Sequence, residues 1–128
     1  MTLARIIVAL TALVFIGYGA AFVVAPAQLS QWVTGTTSLT TSALIDMRAT
    51  YGGMSIAVGV LLLLLSRSDP RPGLVGVLVA MLCMAVTRTW GILIDGAGNN
   101  FMYVYLVLEL VVALTAGALI AWSGRNSP

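Results

Sequence analysis

Asp46-Met47-Arg48-Ala49-Thr50-Tyr51-Gly52-Gly53 opens a run that ends in five consecutive leucines, Leu61 to Leu65. Two opposite charges and a tyrosine at the head of so much hydrocarbon decide the class of molecule, because an isolated charge at mid-membrane costs about 2.5–3.5 kcal/mol on insertion scales. The stretch reads as the first half of a membrane helix whose charges have partners elsewhere in the chain. Composition agrees. The sequence is 60% hydrophobic and 8% charged, with a mean hydropathy of +1.06, against about 25% charged residues in soluble domains. Its 128 residues are too few for two domains and enough for four spans of about 20 apolar residues.

On either side of the motif the same pattern recurs. Ile6 to Val24 forms a first apolar run after Arg5. Its end, Ala25-Pro26-Ala27, resembles a leader-peptidase site, but the run exceeds the usual apolar region of a leader, so it reads as helix 1, terminated by Pro26. Gln28 to Thr41 is polar and uncharged and reads as an interfacial loop, with Trp32 suited to the headgroup layer. The second helix covers about 42–65. Ser66 to Gly73, with clustered charge and two prolines, reads as a turn in water. A third helix over about 74–93 contains Arg88. Asp95 to Asn100 reads as a second turn, and a fourth helix over about 101–122 contains Glu109. The expected architecture is all-α: a single membrane domain over 1–128, folded as an integral membrane four-helix bundle.

The arginines outside the spans orient it. Arg5, Arg67, Arg71 and Arg125 all fall on one side of a four-pass chain, and the opposite loops carry only Asp95. The positive-inside rule then places both termini in the cytoplasm, as for a multi-pass protein of the inner (plasma) membrane. Three spans would put Arg5 and Arg125 on opposite faces.

At a rise of 1.5 Å per residue, Arg48, Arg88 and Glu109 each lie roughly 8–12 Å inside the outer, non-cytoplasmic membrane face, with Asp46 slightly nearer the surface and Tyr18 at the same depth, so the layer falls in the outer leaflet. Two arginines and two carboxylates are expected to neutralise one another in this layer. Helical spacing supports the grouping. Arg48, Gly52, Ser55 and Gly59 share a face, as do Tyr105, Glu109, Ala113, Ala116 and Gly117, and Met81, Met84, Arg88 and Gly91. Small residues let helices approach and methionines fill gaps.

Three readings of this layer stay open. In one it is a lipophilic-ligand pocket, with Glu109 or Asp46 as acid or base and Arg48, Arg88, Tyr51, Tyr18 and Tyr105 as ligand-binding groups, suited to isomerisation, ring opening or cyclisation. In the second it is a polar lock in a structural or accessory subunit, and such a chain packs against itself as a homo-oligomer or against a membrane-protein partner. In the third it passes protons or ions. Tyr51, Tyr103 and Tyr105 also have the ordinary reading of packing or interfacial residues, and Trp90 and Trp122 that of belt anchors. Thr11 and Thr87 are expected to bond back to their own helices. Cys83 reads as a small core residue. With no histidine and one cysteine, zinc, haem and CxxC chemistry are not expected, so no metal or cofactor is assigned. Gly52-Gly53 does not match a phosphate loop, and no patch for nucleic acid is present. Helix 1 lacks the acidic residue that a small multidrug exporter would require.

The Asp46-x-Arg48-Ala49-Thr50-Tyr51-Gly52-Gly53 motif, with an arginine late in helix 3 and a glutamate in helix 4, resembles the small four-helix bacterial membrane proteins catalogued as a domain of unknown function. In general layout these are similar to the DoxX-like group. The resemblance runs from about Leu3 to Trp122. It implies a four-helix membrane bundle and carries no activity with it.

Overall fold

The structure, a computed structural model, describes residues 2–125. Among these residues the chain forms five helices: α1 (Leu3–Val24), α2 (Pro26–Thr34), α3 (Thr41–Leu65), α4 (Pro70–Asp95) and α5 (Asn100–Arg125). Four of them, α1, α3, α4 and α5, are long and apolar enough to cross a membrane. Their outward faces are leucine, valine and isoleucine, exposed for want of any protein neighbour, as expected of surface that meets lipid.

Three local readings change. The segment after helix 1 is a helix for most of its length. Pro26 ends α1 and also starts α2, because a proline in the first turn lacks only an N–H that has no intrahelical partner anyway. Leu29, Trp32 and Val33 then recur at helical spacing, and α2 stops at Gly35, whose φ of 80° suits glycine. The turn after α3 is shorter than expected. Asp69 caps α4 by accepting from the Arg71 backbone N–H at 3.0 Å, and both Pro70 and Pro72 fall in the first turn. Finally, α3 is not uniform: Arg48–Gly53 is wound as a π-helix between α-helical stretches. Such wide turns are rare and frequent at functional sites.

Two tight pairs make up the bundle, α1 with α3 and α4 with α5, and α4 joins them by also touching α1 and α3. The shared apolar core lies in the half nearest the termini. There Val8 and Ala12 of α1 meet Leu62 of α3, Leu74, Val77 and Met81 of α4, and Ala113 and Ala116 of α5. In the other half the pairs are linked less by apolar packing and more by α2, which touches α1, α3 and α5. Two hydrogen bonds hold α2 there. The buried Ser30 hydroxyl meets the Met47 sulfur at 2.7 Å, and Asn99 Nδ2 donates to the Val33 carbonyl at 2.9 Å.

Candidate functional site

Within the α4–α5 pair, Arg88 and Glu109 meet. Tyr105 and Glu109 lie four residues apart on one face of α5, so both look toward the same strip of α4. Arg88 Nε lies 3.1 Å from each carboxylate oxygen of Glu109, and Nη2 lies 2.5 Å from Oε1. The Glu109 side chain is 5% exposed and that of Arg88 20% exposed. The remaining surroundings of the guanidinium are soft. Its Nη1 points to the Met102 sulfur at 3.4 Å, and its carbon lies 5.3 Å from the centre of the Tyr105 ring, a cation–π distance.

Asp46 and Arg48 do not join this pair. Arg48 donates instead to the backbone carbonyl of Val23. That carbonyl is in the last turn of α1, where no helical N–H follows to occupy it, and a cation there also meets the negative end of the helix dipole. The Asp46 carboxylate is exposed and, among the described residues, forms no ion pair. The expected four-charge layer is therefore one buried pair on α4–α5 and a separate helix-capping arginine on α3. Arg88–Glu109 is the one salt bridge among the described residues, and these residues hold no buried polar side-chain atom without a hydrogen-bond partner. The side chain of Arg125, counted above among the orienting arginines, lies outside the described residues.

Tyr18 and Tyr51 stand together on the α1–α3 side. Phe22 bridges them, 4.8 Å from Tyr18 and stacked on Tyr51 at 5.2 Å between ring centres. Tyr18 is half-buried and Tyr51 exposed. The small-residue face of α3 reaches α1 as its spacing implies. A Cβ placed on Gly59 would lie 2.6 Å from the Ala12 carbonyl oxygen, and one on Gly52 would lie 2.7 Å from a Val23 methyl.

Sequence reasoning did not find Phe22, Met102 or Asn99. Phe22 and Met102 look like any other apolar residue in a membrane run. Asn99 did have a signal, since asparagine is a favoured N-cap, and its Oδ1 accepts from Met102 N at 3.3 Å at the start of α5. Thr87 bonds back to the Cys83 carbonyl at 2.8 Å, whereas Thr11 makes no hydrogen bond through its side chain. Cys83 is exposed rather than in the core. An open depression of about 270 Å³ lies between α2 and the segment leading to α3, lined by Ala27, Gln28, Gln31, Thr36, Thr37, Leu39 and Leu44. None of the expected site residues lines it. No cluster of three or more histidine, cysteine or acidic side chains suited to a metal occurs among the described residues.

Comparison with known families matches a family model described as a domain of unknown function, DUF4345, over residues 3–120. The chain belongs to the DUF4345 family. Neither a curated protein nor a solved structure matches it. Family membership thus assigns no chemistry to the Arg88–Glu109 pair.

Proposed function

We propose that this protein binds a lipophilic small molecule carrying a polar head in the half of the bundle remote from the termini, and acts on it by acid–base chemistry at Glu109. The observation that carries the reading is the unspent hydrogen-bonding capacity of Arg88. A guanidinium has five N–H groups. Those on Nε and one on Nη2 serve Glu109, while Nη1 has only a thioether, a weak acceptor. A carbonyl, carboxylate or phosphate head is a better partner for Nη1 than sulfur. Met102 and the Tyr105 ring offer adaptable apolar contact beside it.

In this reading Arg88 anchors the head, and Glu109 takes a proton from one atom or returns it to another. Isomerisation, ring opening and cyclisation all fit such an exchange, since none needs a net change of redox state. Tyr18 and Tyr51 are assigned to the ligand from the α1–α3 side. Arg48 holds the end of α1, and the exposed Asp46 is the second candidate acid or base. The membrane is taken to be the bacterial inner membrane, with the termini cytoplasmic and the site in the outer leaflet. A DoxX-like layout is compatible with this and adds no activity.

A second reading rests on the same pair. Its two-pronged geometry, with no buried polar atom left over, equally suits a lock that holds α4 against α5 in a structural subunit. Extraction of the purified protein followed by mass spectrometry separates the two. A single lipophilic species that travels with the wild type and is lost in a folded Glu109→Gln variant supports binding. Bulk lipid alone, unchanged by Arg88→Gln or Glu109→Gln, leaves the lock.

A further inference from the structure

The end of the bundle that carries the termini has three exposed arginines, Arg5 in the first turn of α1, Arg67 in the α3–α4 connection and Arg71 in the first turn of α4. Arg5, in the first turn of α1, donates from Nη2 to the Ser68 carbonyl oxygen at 3.1 Å. That bond sets its guanidinium on the short α3–α4 connection, one residue after Arg67 and three before Arg71. Nη2 of Arg71 reaches the last turn of α5 beside Gly124. All three arginines are exposed, and among the described residues none has a carboxylate partner. The one acid in the connection, Asp69, commits one carboxylate oxygen to the Arg71 backbone N–H, and three arginines outnumber it.

The base of this cluster is tightly built. A Cβ on Gly73 would lie 2.9 Å from Ser66 Cβ and 3.0 Å from a Val8 methyl, so α4 and α1 are pressed together directly under the connection. Backbone donors contribute little there, since Pro70 and Pro72 have no N–H and that of Arg71 is used by Asp69. An anion at this end is therefore held by guanidinium groups, which match phosphate in pairs of parallel hydrogen bonds. Exposed Leu3, Leu64 and Leu65 lie within a few residues of the cluster along α1 and α3, which offers hydrocarbon to whatever is attached to that phosphate.

We propose that Arg5, Arg67 and Arg71 form a headgroup site for an anionic phospholipid, with the phosphate among the guanidiniums and the acyl chains along α1 and α3. Basic clusters at the ends of membrane helices bind such headgroups. The site is independent of Arg88–Glu109. It is tested on the full chain by native mass spectrometry and by thermal unfolding with added phosphatidylglycerol or phosphatidylcholine of matched acyl chains.

The expected result is preferential retention of phosphatidylglycerol and stabilisation by it, reduced about tenfold or more in an Arg5→Gln/Arg67→Gln/Arg71→Gln variant. Inorganic phosphate at the same concentration should not displace the lipid. Equal retention of the two lipids, an unchanged preference in the triple variant, or displacement by inorganic phosphate overturns the proposal. If the triple variant does not fold, salt dependence of the wild-type preference decides. A preference that weakens steeply with salt supports guanidinium–phosphate contact, and one indifferent to salt overturns it.

Discussion

The two helix pairs of this bundle solve the same problem in opposite ways. Where α1 meets α3, contact is made by removing side chains: Gly19, Gly52 and Gly59 let backbone approach backbone so closely that a single added carbon would strike a carbonyl oxygen or a methyl. Where α4 meets α5, contact is made by adding charge, with Arg88 and Glu109 joined in a nearly enclosed pair. Close glycine packing relies on many weak dispersion contacts and tolerates no bulk. A buried ion pair tolerates some looseness in shape but not the loss of one partner. The first interface is therefore specified by volume and the second by electrostatics.

Substitutions at the two interfaces should therefore differ in what they disturb. The largest effect is expected from Glu109→Ala, which leaves Arg88 unpaired in the membrane at a cost of about 3 kcal/mol. Thermal unfolding in detergent should show that loss, and a double Arg88→Gln/Glu109→Gln variant should recover much of it. A double variant no better than Glu109→Ala would remove the electrostatic account. Next comes Gly59→Val. Overpacking of this kind costs about 1–3 kcal/mol, and cysteine crosslinking between α1 and α3 should report a shifted register while α4 against α5 is unchanged.

A smaller effect is expected for Arg48→Gln, below about 1 kcal/mol, because that arginine acts on a helix end rather than on a buried carboxylate. Amide exchange should then rise in the last turn of α1 and not around Glu109. If exchange rises instead at Arg88 and Glu109, the two charged sites are coupled after all. The smallest change is expected for Ser30→Ala. Its hydroxyl-to-sulfur bond to Met47 should cost well under about 1 kcal/mol when lost, read as faster proteolysis of the α2 segment without a shift in global unfolding.

Much of the fold was legible because membrane helices announce themselves through composition and length, and the glycine face of α3 through spacing. The motif at Arg48 was legible as a face and not as a contact. Its stripe does look toward a neighbour, but that neighbour is α1, and the group that takes the guanidinium is the Val23 carbonyl. Any carboxylate or free carbonyl at the right depth satisfies an arginine, and one-dimensional spacing cannot rank them. Asp46 was misgrouped for the same reason. In α2 the obstacle is different: a proline after an apolar run signals a stop, although the same residue is well suited to begin the next helix.

That this chain crosses a membrane as helices, which residues share a helical face, and that Arg88 and Glu109 need partners all follow from the order of residues, since the cost of charge in hydrocarbon depends on composition and depth. That these two satisfy one another while Arg48 closes the end of α1 follows from how the helices pack. That choice depends on how far each helix is rotated and how close its glycines let it come, which are properties of the packed pairs and of no single helix.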